Sequence, residues 1–377
     1  MYAGLEIDLG AIRRNAQTLR RLVRPARLMA VVKANAYGHG IVPVARALRG
    51  VATRFGVYAV EEAVELREAE IHEPILIMGP VAPRDLEAAL RIGAAVALWD
   101  RGSYLNEVAS TARRAGKPFP VHVKINTGVA RLGLDPDAAP GALREYLGTP
   151  GLSLEGIFSH LAAAEEVDSG FTEHQLALFA RALDAVQYEL ADLEPSPLRH
   201  IAASAAAMLW PQTRLDMVRA GIALYGLWPS PETRALMGEG SIDLVPALRW
   251  TTQVVAVREI AAGTTVGYGR TFTASRAMTV GVLPIGYAEG IPRIVSNRGA
   301  VLVAGERCPI IGRVCMDMTM IDLSAVRDPH PGMEVTLIGS DGGATIAADD
   351  WAMWAQTINY EIVTRLPPHV PRSFIGP

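Results

Sequence analysis

Cysteine is scarce in this chain, with two residues among 377. Cys308 and Cys315 lack the Cys-x-x-Cys spacing of metal-binding and redox pairs. The sequence therefore offers neither a disulfide framework nor a four-ligand zinc site. We expect two buried free thiols and no metal centre.

An excess of basic residues is also missing. The chain has 36 Lys and Arg against 39 Asp and Glu, which gives a formal net charge of −3. A protein without a strongly basic face does not suit the phosphate backbone of nucleic acid. We therefore expect no nucleic-acid partner.

Long uncharged apolar runs are absent as well. No stretch of the sequence reaches the roughly 18 residues that a membrane-spanning helix requires. Charges at Glu6, Asp8, Arg13 and Arg14 interrupt the N-terminal segment, which breaks the apolar run of a secretory signal. The expected location is the cytoplasm, with no membrane partner.

The length and the hydrophobic periodicity predict two domains, because 377 residues are too many for one core unless an α/β barrel is present. Short, nearly continuous apolar segments alternate with helical patterns, which is typical of a (β/α)8 TIM-like barrel. We place this barrel over residues 1–235, beginning with the strand GLEIDLG and a helix over 10–23. Its eight strands are predicted near 27–34, 54–60, 74–79, 94–99, 119–125, 152–159, 198–203 and 217–224.

The character of the sequence changes near residue 228, where WPSPETRALMGEGS forms a connection rich in Pro, Gly and Ser. Beyond it, helical periodicity mostly disappears. Short segments rich in β-branched residues are separated by glycine turns, which predicts a mainly antiparallel β domain. We place this domain over residues 236–377, with one helix near 347–358.

The segment VVKANAYGHG places Lys33 where a buried strand gives way to a loop. An amine in this position loses hydration, which lowers its pKa and makes it a usable nucleophile for a carbonyl. The ordinary alternative is a lysine that extends from the strand end into solvent. Active sites of barrel enzymes collect at the C-terminal ends of the strands, which favours the functional interpretation.

Other polar residues occupy the same ends of other predicted strands, so the barrel would bring them to one rim. Ser204 could instead be a helix N-cap and Gly221 a tight turn. Arg219 is harder to dismiss, because a buried arginine needs a partner. The rim candidates, in chain order, are Tyr37, Arg131, His160, Ser204, Arg219, Gly221 and Ile222.

Two segments of the predicted β domain also contain candidate residues. Tyr268 is flanked by glycines in VGYGRTF, which favours a tyrosine displayed on a tight loop, although a tyrosine capping a hairpin is the alternative. Met316 lies in VCMDM, which by itself is typical of a core strand.

Several segments together resemble the alanine racemase family, the fold-type III pyridoxal-phosphate enzymes. They are KANAYGHG, KINTGVARLG, FSHLAAAE, RAGIALYG, VGYGRTF and IGRVCMDM, and they extend over nearly the whole chain. The resemblance implies interconversion of L-alanine and D-alanine through a pyridoxal-phosphate aldimine, which supplies D-alanine for peptidoglycan. It also implies a homodimer with composite active sites and a small amino acid as substrate.

The resemblance also implies a role for each candidate residue. Lys33 would carry the cofactor and act as one base, and Tyr268 of the other subunit would act as the second. Arg131 and the Met316 backbone would bind the substrate carboxylate. The cofactor, pyridoxal 5'-phosphate, would be bound by Lys33, Tyr37, His160, Ser204, Arg219, Gly221 and Ile222.

Two further residues bear on the resemblance. Ala203 stands where the family usually has asparagine before the serine, which removes one amide near the cofactor. Lys124 matches a family lysine that can carry a carbamate beside the arginine at Arg131.

Other functions share parts of this pattern. A racemase of broader specificity, or one for serine, would differ in pocket shape alone. A basic amino-acid decarboxylase combines a pyridoxal-phosphate barrel with a β domain, but it needs an acidic residue where this chain has Arg219. A non-catalytic cofactor-binding protein with this barrel would generally lack the second domain.

Overall fold

The structure is a computed structural model, and it describes residues 2–166, 168, 170–238 and 240–376. Contacts divide the chain into two units. The barrel unit comprises Ala11–Ala36 and Ile41–Pro246, and the β unit comprises the chain up to Gly10, Tyr37–Gly40 and the chain from Ala247 onward.

The chain begins with β1 (Gly4–Asp8) and α1 (Leu9–Leu22), and the barrel strands follow. All pairings between these strands are parallel, and β9 returns to pair with β2, so the sheet forms a nearly closed barrel. The predicted (β/α)8 architecture is thus confirmed. The eight strands are β2 (Arg27–Val31), β3 (Arg54–Val57), β4 (Ile75–Ile77), β5 (Ala95–Leu98), β6 (Phe119–Lys124), β7 (Leu152–Phe158), β8 (Leu198–His200) and β9 (Met217–Ala220).

Helices alternate with these strands. A helix of this kind buries one face because its apolar residues recur on that face. In the helix just before β6, Leu105, Val108, Ala109 and Ala112 are buried, and the helix ends at Gly116 with φ 63°. The helical segments of this part of the chain are α2 (Lys33–Tyr37), α3 (Ile41–Leu48), α4 (Val60–Glu68), α5 (Leu86–Arg91), α6 (Ser103–Ala115), α7 (Ala139–Leu147), α8 (Gly170–Asp184), α9 (Gln187–Ala191), α10 (Ser204–Leu209) and α11 (Pro231–Met237).

The β unit contains a mixed sheet in which β1 pairs antiparallel with β10 (Leu248–Gln253) and parallel with β20 (Arg372–Ile375). It also contains a three-stranded antiparallel sheet of β11 (Ala256–Ile260), β14 (Met278–Leu283) and β17 (Thr319–Asp322). Most pairings are antiparallel, as predicted. Its remaining strands and helices are β12 (Thr265–Val266), β13 (Phe272–Thr273), β15 (Ala300–Val303), β16 (Glu306–Pro309), β18 (Glu334–Asp341), β19 (Ala344–Ile346), α12 (Ala348–Ala355) and α13 (Asn359–Thr364).

The opening strand differs from the expectation that placed it with the barrel. In β1, Leu5 and Ile7 are buried and their neighbours are half-buried, an alternation typical of a sheet with one covered face. This strand pairs with β10 and β20 of the β unit. The local sequence of β1 does not determine which strands it pairs with, because β10 and β20 lie far from it along the chain.

The connection between the two units also differs in detail from the sequence-based boundary at 235/236. That boundary lies inside α11, and the contact-based division falls after Pro246. Residues before this division stay with the barrel unit because Asn15 of α1 binds Val245 twice. Its Nδ2 donates to the Val245 carbonyl at 2.8 Å, and its Oδ1 accepts from the Val245 N–H at 2.8 Å.

The helix predicted near 347–358 corresponds to α12, and a second helix that was not predicted, α13, follows it. Gln356 has φ 55°, a left-handed conformation that ends α12. The chain is extended at Ile358, and α13 begins at the next residue. Among the described residues, none of the helices is both long enough and apolar enough to span a membrane.

Candidate active site

Lys33 is the first residue of α2, two residues after the end of β2. Ala34, Asn35 and Ala36 each have φ 53°, which makes this segment a left-handed turn. For residues other than glycine, this conformation costs roughly 1–2 kcal/mol each. Such a turn persists only where surrounding contacts hold it, and strained segments of this kind cluster at functional sites.

Two side chains of the barrel unit hold this turn. The Glu62 carboxylate accepts from the Ala34 N–H at 2.6 Å through Oε1 and from the Tyr58 N–H at 2.8 Å through Oε2. Asn35 accepts from the Ile41 N–H at 2.9 Å through Oδ1. Charge-assisted bonds of the Glu62 kind are the stronger ones. Glu62 therefore orients the segment that begins with Lys33.

The Lys33 amine is half-buried, and burial is the largest cause that lowers its pKa below the usual lysine value. Arg131 and Arg219 lower it further, while Glu62 opposes them. Removing an ammonium from water and placing it beside cations both favour the neutral amine. A neutral amine is the form that attacks a carbonyl or accepts a proton.

A second buried amine lies in the same region. Burial lowers the pKa of Lys124 to about 8, with further contributions from Arg131, Arg219 and Lys33. The ring of Phe158 lies 5.6 Å from Lys124 Nζ and 5.5 Å from Arg219 Cζ. The end of the barrel thus concentrates positive charge, which favours an anionic ligand.

Arg219 lies within β9 and is 4% exposed. Its Nη1 donates to His200 Nδ1 at 2.8 Å and to the His200 carbonyl at 3.0 Å. Its Nη2 donates to the carbonyls of Ser159 and Ile201 at 2.8 and 3.0 Å and to His160 Nδ1 at 3.2 Å. These contacts leave the Nε–H as the donor without a protein acceptor among the described residues.

His160 follows β7 and accepts from Arg219. Burial lowers the pKa of His160 to about 3, and Arg219 is the next largest cause. The imidazole is therefore neutral at pH 7, because an added proton would face the guanidinium. The side chain of Arg131 is exposed, in contrast to that of His160.

Ser204 is the first residue of α10, whereas Ala203 occupies the N-cap position. The alternative interpretation of Ser204 as an N-cap is thus not what the structure has. Its Oγ accepts instead from the Gly221 N–H at 3.0 Å, across the ends of two neighbouring strands. Gly221 precedes a 3-10 segment that begins at Ile222. These groups form a set of small donors at one place on the rim.

Tyr37 begins the short segment of the β unit that follows the left-handed turn. Burial raises the pKa of Tyr37 to about 12, so its hydroxyl stays protonated and able to donate. Its ring centroid lies 6.3 Å from that of Tyr360, a residue that the sequence did not single out. At Gly38, φ is 83°, and an added Cβ would lie 2.1 Å from the Val363 carbonyl oxygen. The segment therefore requires glycine there.

Tyr268 lies on a tight loop of the β unit and is 73% exposed. The glycines on either side, Gly267 and Gly269, have φ of 73° and 71°. A Cβ on Gly269 would lie 3.1 Å from Arg313 Cζ. The loop therefore depends on glycine for its conformation and for its contact with Arg313.

Met316 is 56% exposed, so it is not part of a core strand. The carbonyls of Cys315 and Met316 accept from the N–H groups of Tyr287 and Ala288 at 3.1 and 3.0 Å. The prediction of buried free thiols holds for Cys308, while Cys315 is half-buried. Backbone contacts thus fix the segment while its methionine side chain points to the surface.

Asn297 links the Tyr268 loop to the segment that leads to Met316. Its Nδ2 donates to Thr271 Oγ1 at 3.1 Å, and its Oδ1 accepts from the Gly312 N–H at 2.6 Å. Asn297 has φ 58°, a conformation that asparagine tolerates better than most residues. Sequence reasoning missed this residue, because a lone asparagine in SNRG is also typical of an ordinary turn.

Two family models match the chain. Residues 7–229 match the family described as alanine racemase, N-terminal domain, and residues 247–374 match alanine racemase, C-terminal domain. Alanine racemase of Symbiobacterium thermophilum is 42% identical over 98% of this chain and 96% of its own length. Alanine racemase of Desulforamulus reducens is 40% identical over 98% of both chains.

Solved structures show the same fold. Alanine racemase from D-cycloserine-producing Streptomyces lavendulae superposes with a TM-score of 0.91 at 37% identity, covering 100% of this chain and 98% of that one. Alanine racemase from Bacillus anthracis with bound L-Ala-P also gives 0.91, at 34% identity with 100% and 95% coverage. The fold and these matches define a racemase, an enzyme of the isomerase class. The chain belongs to the alanine racemase family.

Proposed function

We propose that this chain interconverts L-alanine and D-alanine with pyridoxal 5'-phosphate as its cofactor. The observation that carries the proposal is the amine of Lys33, whose pKa is lowered at the end of a barrel strand in a chain of this family. We also propose that the enzyme works as a cytoplasmic homodimer that supplies D-alanine for peptidoglycan.

The residues of the barrel unit fit such a cofactor. Lys33 offers a poorly hydrated amine for an aldehyde, and the Nε–H of Arg219 offers a donor for a ring nitrogen. The Ser204 hydroxyl and the Ile222 N–H offer the small donors that a phosphate group requires, and Gly221, whose N–H donates to Ser204 Oγ, would lie beside the phosphate. His160 completes the set from the barrel unit. Tyr37, with its protonated hydroxyl, belongs to the β unit and is the further residue that we assign to cofactor binding.

Arg219 would determine the state of the ring nitrogen. Its guanidinium cannot accept a proton, and burial lowers its pKa only to about 10, so it remains a cation at pH 7. A cationic donor disfavours a proton on the nitrogen that it faces. When bound, pyridoxal phosphate supplies the conjugated ring that accepts the electron pair left by the departing Cα proton.

Racemisation requires an acid or base on each face of the substrate carbon. Lys33 Nζ would exchange a proton on one face, because its lowered pKa makes the neutral amine accessible. Tyr268 Oη of the partner subunit would exchange a proton on the other. Arg131 would bind the substrate carboxylate and stabilise the phenolate form of Tyr268. The Met316 N–H would bind the substrate carboxylate as well.

The test is proton NMR of the purified holoenzyme in deuterated water with L-alanine, L-serine or L-lysine. We expect loss of the α-proton signal of L-alanine together with accumulation of D-alanine. Faster exchange of serine would assign the chain to a racemase of different specificity. Release of carbon dioxide from L-lysine, or retention of every α-proton by a cofactor-loaded protein, would contradict the proposal.

A further inference from the structure

A row of buried imidazoles extends from Arg219 through the interior of the barrel. Arg219 Nη1 lies 2.8 Å from His200 Nδ1, and His200 Nε2 lies 2.8 Å from His122 Nδ1. Both histidines are 0% exposed. His122 Nε2 lies 3.8 Å from the Glu155 carboxylate, whose same oxygen is 2.8 Å from Arg54 Nη2. Five side chains on five strands thus form one polar row.

The direction of the hydrogen bonds in this row follows from Arg219. A guanidinium only donates, so His200 Nδ1 must accept and the ring proton of His200 lies on Nε2. That N–H donates to His122 Nδ1, which places the ring proton of His122 on Nε2 as well. Burial, the largest cause, lowers the pKa of His122 to about 4, in agreement with a neutral ring.

The two imidazoles are followed in the row by Glu155, whose carboxylate faces the Nε2–H of His122. The separation of 3.8 Å is longer than a direct hydrogen bond, so the contact is electrostatic. Within the part of the chain that the structure describes, His122 Nε2 has no partner at hydrogen-bond distance. A buried N–H of this kind needs an acceptor beside it.

The local backbone shows how Glu155 comes to face the interior. Between β6 and β7, Val121 pairs with Leu154 and His122 pairs with Gly156, which leaves Glu155 unpaired. An extra residue in one strand is a bulge, and bulges redirect side chains. A Cβ on Gly156 would lie 2.3 Å from His122 Nδ1, so the glycine makes room for the ring.

We propose that Glu155, held by Arg54, is a positioning residue that acts from the other end of the row to stabilise the Nε2–H tautomers of His122 and His200 that Arg219 requires, and so keeps Arg219 oriented for the cofactor. With the opposite tautomer, His122 would direct an N–H at the N–H of His200. Two opposed donors would displace His200 from Arg219. The catalytic consequence rests on the proposed function, whereas the tautomers themselves do not.

The direct test is solid-state nitrogen NMR of the holoenzyme labelled at the histidine ring nitrogens. In the wild-type protein, we expect protonated Nε2 and unprotonated Nδ1 at both His122 and His200, assigned with His122→Asn and His200→Asn. A protonated Nδ1 on either ring would overturn the proposal without any need for a variant that folds poorly.

The second test is the double variant Arg54→Met/Glu155→Met, which removes the acceptor and leaves no buried cation unpaired. We expect an Nδ1–H signal from His122 and a fall in kcat of about 10-fold, the size seen when supporting residues are lost. The single variant Glu155→Gln keeps an oxygen acceptor in the place of Oε2 and should retain the wild-type signals of His122 and His200.

The matched control is Arg101→Met/Glu145→Met, which removes an ion pair of the same 2.8 Å length on the barrel surface. It should change neither the histidine signals nor kcat. Unchanged tautomers in Arg54→Met/Glu155→Met, or loss of the pattern in Glu155→Gln, would overturn the proposal. A wild-type protein with the expected tautomers but no alanine racemisation would overturn the proposed function alone.

Discussion

The barrel rim and the loops of the β unit prepare their candidate residues in different ways. On the rim, Lys33 is half-buried among cations, and Arg219 is buried with acceptors on both terminal nitrogens. In the β unit, Tyr268 and Met316 are mostly exposed, on segments that backbone contacts and glycines hold. Burial changes the pKa of a group. An exposed group on a fixed loop stays in contact with solvent, so its pKa changes only when another surface covers it.

The largest effect should come from replacing the amine of the rim. Lys33→Met should lower racemisation by about 10⁴-fold, because one base and the cofactor attachment are lost together. Borohydride reduction of the holoenzyme should then no longer couple the cofactor to the chain, as measured by intact mass. The chain contains two other lysines, and Lys117→Met is the exposed control. Coupling that persists in Lys33→Met would place the attachment elsewhere.

The loop counterpart of that change is Tyr268→Phe. It should lower racemisation by about 10²–10⁴-fold through loss of one acid or base. Exchange of the α-proton in deuterated water should stop for one enantiomer of alanine and continue in part for the other. Tyr188→Phe removes a hydroxyl from a tyrosine that is 79% exposed and should leave both rates unchanged. Equal exchange of both enantiomers by Tyr268→Phe would exclude it as the second base.

A mixed dimer would test whether the barrel rim of one subunit works with the Tyr268 loop of the other subunit. Subunits carrying Lys33→Met and subunits carrying Tyr268→Phe should recover activity when co-refolded, because one composite site per mixed dimer has both bases. Mixed dimers isolated with two different affinity tags provide the measurement. Inactive mixed dimers would show that each subunit uses its own tyrosine.

Lys124 tests the cost of burying charge on the rim. Its pKa is about 8 in the folded protein against the ordinary lysine value of 10.5, so the unfolded chain binds more protons between these values. Stability should therefore rise as pH increases from about 8 to 10.5. Lys124→Met should stabilise the cofactor-free protein by about 2–3 kcal/mol at pH 7. Urea unfolding at pH 7 and pH 10 measures both effects. A destabilised variant would indicate that the amine is neutralised, as by the carbamate that the resemblance implies.

The smallest effect should come from the link between the two loops of the β unit. Asn297→Ala removes the side-chain bonds to Thr271 and Gly312 and should cost about 1–2 kcal/mol of stability. Because Tyr268 lies on the loosened loop, kcat should fall more than the affinity for alanine. Asn106→Ala, at an exposed position of α6, is the control. An unchanged kcat would limit Asn297 to a structural role.

Much of the barrel could be predicted from sequence, because each buried strand is a short apolar run between helical patterns. The left-handed turn after Lys33 could not, since non-glycine residues rarely adopt it and only the contacts of Glu62 and Asn35 hold it. Glu62 itself lies beside Glu61 in EEAVELREAE, and the sequence does not distinguish them. The orientation of α4 about its axis decides which of these two carboxylates reaches the Ala34 N–H.

The sequence by itself determined the fold class and the chemistry of the candidate residues, because periodicity and residue type are local properties. Tertiary structure alone decided that residues 4–8 join the β unit, that Lys124 loses proton affinity, and that the row from Arg219 to Arg54 has one direction. The physical reason is that strand pairing, burial and hydrogen-bond direction depend on groups that are far apart along the chain and adjacent only after folding.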